Sequence, residues 1–250
     1  MSLLTVARDL QRRKARGRSG KFVAEGIRTV EELIKSGLPI DGLLVSDTAG
    51  AIPRGAALLD AARVAGVPIL VVSDQEFGSA AGTEAPQGML AVASVPVWSL
   101  QKLPLTGLRL LVLDALQDPG NVGTILRTAA AFDVSATIAL PGTVDLWNAK
   151  VVRSAMGSHF VHPTLNCTAE GLAPFLAERG ISLWGADAAG TPIPKVRVPA
   201  QWALAVGNEG AGLSPALQSL VAGTVALPVS AAVESLNVAV ATGILLFAFR

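Results

Sequence analysis

Several features that would assign this protein to a particular class are absent from its sequence. Cys167 is the single cysteine among 250 residues, so an intramolecular disulfide is excluded and a cytoplasmic location is expected. No apolar run approaches the roughly 20 residues that a membrane helix needs, and the N-terminal segment lacks the apolar stretch of a signal peptide. Charged residues make up only 16% and apolar residues 51% of the chain, which excludes global disorder.

Common nucleotide-binding and metal-binding motifs are also missing. The chain has no G-x-x-x-x-G-K-[ST] phosphate loop, and its glycine-rich segment 207–212 has the spacing G-x-x-G-x-G at a late position in the chain. A nicotinamide cofactor is therefore disfavoured. His159 and His162 form an H-x-x-H pair, but no third ligand lies near them. We therefore predict that no metal is bound and that these histidines are solvated or lie at the edge of the core.

Charge is distributed unevenly along the chain. Residues 1–28 contain eight basic and two acidic groups, a net charge of +6, whereas the remaining residues carry a net charge of −5. This asymmetry favours a local site for a polyanion. The alternative is a solvated basic helix end. The candidate groups are Arg12, Arg13, Lys14, Arg16, Arg18 and Lys21.

The alternation of short apolar runs with helical patterns predicts two α/β domains, residues 1–95 and 106–250, joined by a proline-containing linker at 96–105. In the second domain the strands are almost continuously apolar, which is typical of a parallel sheet covered on both faces. Strands are predicted at 21–25, 42–46, 69–73, 89–94, 110–113, 137–140, 182–185, 204–207 and 224–227. Helices are predicted at 27–35, 55–64, 122–132, 146–156, 172–179, 215–221 and 236–249.

Polar residues at the end of one predicted strand form the first candidate segment, residues 113–132. A turn precedes Asn121, which we interpret as the cap of the following helix. Arg127 lies on an alanine-rich part of that helix and has no evident packing role, while the helix start can attract phosphate. The alternative is an ordinary strand-to-helix turn with a surface arginine.

Two further segments also place polar residues after a predicted strand. In residues 204–214 a buried strand leads into a glycine-rich turn that contains Glu209; the alternative is a plain turn with this carboxylate in solvent. In residues 227–249, Ser235 and Asn237 precede an almost wholly apolar helix, which we expect to be buried at an interface. Ser235 is either a simple helix cap or a site residue.

Together, in this order, the three segments resemble the sequence motifs of the SpoU/TrmH family of RNA 2′-O-ribose methyltransferases over residues 110–250. Residues 150–157 are also similar to the family, and residues 22–26 and 87–88 resemble its ribosomal-protein-like substrate-binding domain. Val229 and Ala231 depart from the family, which usually has methionine and glycine there. The matching positions are Asn121, Arg127, Gly207, Glu209, Gly210, Gly212, Pro228, Glu234, Ser235, Leu236 and Asn237.

The resemblance implies a parallel-sheet domain with a deep trefoil knot, preceded by a smaller α/β RNA-binding domain. It also implies S-adenosylmethionine as methyl donor, a homodimer, and a ribose 2′-hydroxyl of structured RNA as acceptor, with ribosomal RNA favoured over transfer RNA. A non-catalytic RNA-binding protein with the same fold is the main alternative, and a nucleotide-binding oxidoreductase is another.

The resemblance also assigns roles to individual residues. Arg127 would act at the hydroxyl, and we expect it to bind phosphate and stabilise the developing alkoxide because arginine is a poor base. Glu209 would organise the site, with Arg127 as a candidate partner, while Asn121, Ser235 and Asn237 position ribose and loop. The basic groups of residues 1–28 would contact RNA phosphates. Cofactor contacts would come from Gly207, Gly212, Leu227, Val229 and Leu236.

Overall fold

The computed structural model describes residues 1–51, 53–230, 232–233 and 235–250. The chain divides into two compact units, residues 1–97 with 147–161, and residues 98–146 with 162–250. Ala231 and Glu234, which the sequence places in the third motif, lie outside the described residues. No helix in the described ranges has the length and apolar character to cross a membrane.

The first unit contains a four-stranded sheet in the order β1-β4-β2-β3, in which β2 and β3 are parallel and the other pairs antiparallel. Gly37 ends α3 in the left-handed conformation, as its position in the sequence predicts. The elements are α1 (Leu3–Asp9), α2 (Arg13–Ser19), β1 (Lys21–Glu25), α3 (Ile27–Ser36), β2 (Ile40–Ser46), α4 (Pro53–Val64), β3 (Ile69–Val72), α5 (Asp74–Gly78), β4 (Met89–Ser94) and α7 (Ala149–Ser154).

Residues 147–161, which the sequence assigns to the second domain, pack in the first unit. Phe22 of β1 is fully buried, and its ring centroid lies 4.5 Å from that of Trp147 and 5.8 Å from that of Phe160. Aromatic contacts at such distances contribute beyond simple burial. The apolar ring of Phe22 therefore holds this later segment against β1.

The second unit contains six parallel strands in the order β10-β8-β9-β5-β6-β7. The parallel sheet predicted from the apolar strands is confirmed. The elements are β5 (Arg109–Leu113), α6 (Pro119–Ala131), β6 (Ala136–Ala139), β7 (Thr164–Asn166), α8 (Ala169–Glu178), β8 (Ser182–Pro192), β9 (Trp202–Val206), α9 (Pro215–Gln218), β10 (Gly223–Ala226) and α10 (Val238–Ala248).

Sequence patterns missed several details of the second unit. β7 escapes detection because it is short and has threonine and asparagine at its ends. Within the predicted linker, Leu100 and Leu103 are buried in the core of this unit. α10 packs against α6, and the indole nitrogen of the buried Trp202 donates to the Phe249 carbonyl at 3.1 Å. The last helix is thereby fixed beside the sheet.

Candidate functional site

A cleft of about 380 Å³ lies at the carboxyl edge of the parallel sheet, where ligands of such sheets commonly bind. Its walls come from residues 186–188 within β8, from the ends of β9 and β10 with the loops that follow these two strands, and from the first turns of α10. All five predicted cofactor residues line it, and so do Glu209, Ser235 and Asn237. The lining residues are Ala186, Asp187, Ala188, Val206, Gly207, Asn208, Glu209, Gly212, Val225, Leu227, Val229, Ser235, Leu236, Asn237, Val238, Ala241, Thr242 and Leu245.

The glycine-rich loop after β9 folds back on itself. The backbone amides and carbonyls of Asn208 and Gly212 exchange two hydrogen bonds, each 2.9 Å long. A Cβ on Gly207 would lie 2.3 Å from the carbonyl carbon and oxygen of Gly212, so only glycine fits at this position. Gly212 itself has a φ of +69°, which glycine adopts without strain. The predicted need for glycine in this loop therefore has a direct steric cause.

Asn208 organises this loop, a role that the sequence analysis missed. Its side-chain oxygen accepts hydrogen bonds from the amides of Gly210 and Ala211, both at 3.0 Å. Its side-chain nitrogen donates to the carbonyl of Ala115 at 3.1 Å. The presence of an asparagine inside a glycine-rich turn could have predicted this role, because asparagine side chains commonly bond to the backbone two residues later.

The three predicted segments meet in a chain of side-chain hydrogen bonds. Asn121 Nδ2 donates to Glu209 Oε1 at 2.9 Å, and Asn237 Nδ2 donates to Asn121 Oδ1 at 3.0 Å. The oxygen of Asn237 accepts from the first amides of α10, at 2.9 and 3.3 Å. Asn121 therefore links Glu209 and Asn237, so that one residue from each segment belongs to the chain of bonds beside the cleft.

Two predicted helix starts are wrong. The cap of α6 is Asp118, whose Oδ1 accepts from the Asn121 amide at 2.7 Å, and Pro119 occupies the first helical position. Asn121 lies in the first turn instead, which leaves its side chain available for Glu209. α10 begins at Val238 with Asn237 as its cap. The alternative that Ser235 is a simple cap is therefore excluded; Ser235 is exposed and lines the cleft.

Arg127 does not join this network. Its side chain is exposed on α6 and has no hydrogen bond or ion pair within the described part of the chain. The predicted pairing of Glu209 with Arg127 is not formed in this structure, in which one oxygen of the Glu209 carboxylate accepts from Asn121. Glu209 is exposed, so it does not need a cation to offset burial. No described residue therefore keeps Arg127 from contacting another molecule.

The basic groups of residues 1–28 differ in their availability. Arg16 is 6% exposed and donates to the carbonyls of Leu10 and Gln11 at 2.7 and 3.0 Å. It therefore holds α2 in place, and the prediction that it contacts RNA is wrong because its guanidinium is buried. The remaining groups lie at the surface.

The other five candidate groups fall into two sets. Arg12 pairs with Asp9, and Lys21 pairs with Asp41 at 2.5 Å. Arg13, Lys14 and Arg18 are exposed and have no ion pair among the described residues. We call Arg13, Lys14 and Arg18 the unpaired set. Of the candidate groups, these three are best able to bind a polyanion.

Both histidines are buried and engaged. His159 stacks on Trp147 with ring centroids 3.9 Å apart. His162 Nε2 lies 2.8 Å from Thr137 Oγ1, and desolvation lowers the pKa of His162 to about 4. No group of three or more metal-ligating side chains occurs in the described ranges. The expectation that these residues lie in solvent or at the edge of the core underestimates their burial.

The cleft has the chemistry that an adenosyl cofactor needs. Val206, Val225 and Leu245 provide apolar walls, while the glycines allow main-chain groups to approach a ligand closely. Together, the parallel sheet and the cleft at its carboxyl edge define an α/β protein that binds a nucleotide-like ligand.

Comparison with known proteins identifies the family. Residues 109–247 match the SpoU rRNA Methylase family, and residues 5–91 match the MRM3-like substrate binding domain. The chain is 35% identical over 244 residues to the 23S rRNA (guanosine(2553)-2′-O)-methyltransferase RlmP of Bacillus subtilis, covering 97% of this chain and 94% of that protein. The chain belongs to the SpoU rRNA methylase family.

Two further comparisons support this assignment. The 23S rRNA (uridine(2479)-2′-O)-methyltransferase of Streptomyces viridochromogenes is 31% identical, over 96% of this chain and 86% of that protein. The crystal structure of the SpoU methyltransferase AviRb from Streptomyces viridochromogenes in complex with AdoMet superposes with a TM-score of 0.90 at 26% identity, covering 100% of this chain and 97% of that one. The predicted fold class, enzyme class and cofactor are confirmed, and these relatives give no support to the non-catalytic alternative.

Proposed function

We propose that this protein transfers a methyl group from S-adenosylmethionine to the 2′-hydroxyl of one ribose in ribosomal RNA, acting as a cytoplasmic homodimer. The observation that carries the proposal is the hydrogen-bond chain of Asn121, Glu209 and Asn237 at the cleft. It joins three separate segments at the place where the donor would lie. The relatives named above, which act on 23S rRNA, favour ribosomal over transfer RNA.

The cleft would hold the cofactor. Gly207, Gly212 and Leu227 would present main chain to it, while Val229 and Leu236 would cover it from the loop before α10. S-adenosylmethionine supplies a methyl group already activated by a positively charged sulfur, so the protein needs to position and not to activate the donor. The remaining chemistry falls to the residues that hold ribose and phosphate.

In the proposed reaction the ribose 2′-oxygen forms a bond to the methyl carbon as the carbon–sulfur bond breaks, with its electron pair remaining on sulfur. The hydroxyl proton leaves to the RNA phosphate or to water. Arginine is a poor base, since its guanidinium holds its proton tightly, so we assign Arg127 to phosphate binding and to stabilising negative charge on the oxygen. Asn121 and Asn237 fix the loop geometry, Ser235 positions ribose, and Glu209 organises these groups.

A homodimer would bring Arg127 close to a cleft. α6 and α10 share an exposed apolar groove, and three of its side chains, Val240, Ile244 and Phe247, are 53%, 45% and 67% exposed. Arg127 follows Thr124 of this groove by three residues, so helical spacing places it at the border of the groove. Covering the groove with a second copy would remove the apolar surface from water and set Arg127 at the interface.

The deep trefoil knot is also part of the proposal. In the sheet, β10 pairs with β8 and not with β9, although β9 immediately precedes it among the strands. The chain must therefore cross the position of β8 on its way from β9 to β10. Connections that pass over a strand also occur in unknotted doubly wound sheets, so the knot is proposed from the family match and not from this strand order.

Replacing Arg127 with alanine tests the catalytic assignment. We expect the methylation rate to fall by about 100-fold or more, the cost typical of removing one group that stabilises transition-state charge. Binding of S-adenosylmethionine, measured by calorimetry, should change by less than about twofold. Arg197→Ala is the matched control, because Arg197 is exposed in the same unit and does not line the cleft. Loss of cofactor binding in Arg127→Ala with intact RNA binding would contradict the assignment.

A further inference from the structure

One wall of the cleft is a bulge in β8. Gly185 pairs with Thr224 of β10, and the next pairing joins Thr191 to Val225, so residues 186–190 loop out of the ladder. Gly190 closes this bulge: a Cβ there would lie 2.8 Å from Thr224 C and Val225 N. The close approach of the two backbones returns the chain to the sheet and leaves residues 186–188 facing the cleft.

The bulge presents a carboxylate to the cleft. Asp187 lines it, and its Oδ1 accepts from the Ala189 amide at 2.8 Å. Its other oxygen has no partner among the described residues. The charged residues in the described lining are Asp187 and Glu209, both acidic, and Glu209 is engaged by Asn121. Each of these carboxylates keeps one oxygen without a described partner, but Asp187 is bonded only by a backbone amide of its own bulge. Its charge therefore faces a cleft whose described walls hold no basic side chain.

We infer that Asp187 is a specificity-determining residue that favours the positively charged cofactor over its demethylated product. S-adenosylmethionine and S-adenosylhomocysteine share adenine, ribose, ammonium and carboxylate. They differ in the methyl group and in the positive charge on sulfur. The inference places the Asp187 carboxylate on the side of the cleft that takes this sulfur, where it would attract the first ligand and be nearly indifferent to the second. This inference rests on the proposed function, since it assumes that the cleft holds the cofactor.

The consequence is easier release of the product. Each methyl transfer removes the positive charge from sulfur, so it also removes the attraction to Asp187. Because Asp187 is exposed, the effect is modest: we expect its charge to change the ratio of the two affinities about threefold to fivefold, the upper range for a solvent-exposed charge pair.

The test measures dissociation constants by calorimetry for S-adenosylmethionine, S-adenosylhomocysteine and sinefungin, which carries an amine in place of the methylated sulfur. Asp187→Asn keeps an oxygen for the Ala189 amide and removes only the charge. We expect weaker binding of the two cationic ligands and unchanged binding of S-adenosylhomocysteine. Asp133→Asn is the control, because Asp133 lies outside the cleft lining in the same unit, with a φ of +56° that asparagine tolerates.

The outcomes separate the inference from the proposed function. Equal weakening of all three ligands in Asp187→Asn would overturn the inference, since the partner of Asp187 would then be the ammonium or the ribose. Unchanged binding of all three would also overturn it, since the carboxylate would then contribute nothing to cofactor affinity. If the wild-type chain binds none of the ligands, the proposed function itself fails. Should Asp187→Asn not fold, the wild-type affinity ratio is measured at low and high salt; an unchanged ratio would overturn the inference, because an exposed attraction is screened.

Discussion

Asn121 is the residue through which the site is assembled, and its role depends on its neighbours. Asp118 and Pro119 start α6 three residues before the predicted cap, so the side chain of Asn121 is not used for capping. It bonds to Glu209 and Asn237 instead. The sequence alone marked all three residues as polar groups between a predicted strand and the first turn of the helix that follows it. It could not tell which side chain would cap a helix and which would join the network.

His162 predicts a pH dependence of stability at the residue scale. Its folded pKa is about 4 because burial disfavours the charged ring, against 6.5 for the free group. Between these values the unfolded chain binds more protons, so stability is complete above pH 6.5 and is lost as the pH falls towards 4. The loss amounts to about 3 kcal/mol over the window, at 1.36 kcal/mol for each pKa unit.

Unfolding by urea at pH 7, 5.5 and 4.5 checks this expectation. His162→Asn removes the titration, so its stability should fall less steeply with pH than that of the wild type, even though it starts lower. Glu31, Glu76 and Glu170 also have pKa values lowered from 4.5, so their contributions are lost mainly below this window. Parallel pH profiles for the two proteins would show that His162 is not responsible.

At the scale of elements, α10 has two different apolar faces. One packs into the unit, with Thr242, Leu245 and Leu246 buried, and the other leaves Ile244 and Phe247 exposed along the groove shared with α6. Sequence analysis predicted an apolar helix at an interface from its composition. The described structure places one face in the core, and the second face is the one assigned to the proposed dimer.

Ile244→Glu tests that assignment. A charge buried without a partner costs about 3–5 kcal/mol, so the dimer should weaken by more than about 100-fold. Sedimentation of the variant at micromolar concentration should give monomers, and its methylation rate should fall with the loss of the dimer. Val64→Glu is the control, since Val64 is 90% exposed in the first unit. A monomeric wild-type protein, or a variant that still dimerises, would refute the proposed interface.

At the scale of the whole molecule, positive charge is concentrated in one part of the chain. The excess positive charge lies in residues 1–28, whereas the rest of the chain is net negative. Among the six candidate groups of this segment, burial removes Arg16 and ion pairs engage Arg12 and Lys21. The unpaired set of Arg13, Lys14 and Arg18 is left for phosphate. RNA affinity should therefore depend on fewer basic groups than the sequence alone indicates.

The salt dependence of RNA binding measures this number. Each phosphate contact contributes about 0.7–0.9 to the slope of log affinity against log salt, so replacing Arg13, Lys14 and Arg18 together with glutamine should lower the slope by about 2 to 3. Arg63→Gln is the control, because Arg63 lies in the same unit and is already paired with Asp60 at 2.7 Å. An unchanged slope in the triple variant would exclude the unpaired set from the RNA interface.

The sequence by itself determined the sheet strands of both units except β7, because local apolar runs and glycine stops depend only on neighbouring residues. It also determined the glycine loop after β9 and the polar residues of the three motifs, which lie at fixed spacings along the chain. Only the tertiary structure decided that Asn121 bonds to Glu209, 88 positions away, and that residues 147–161 pack in the first unit. It also revealed the buried state of Arg16 and the place of Asp187 in the cleft. Contacts between residues distant in sequence form when strands from separate segments pair side by side, and no local pattern encodes which ends will then meet.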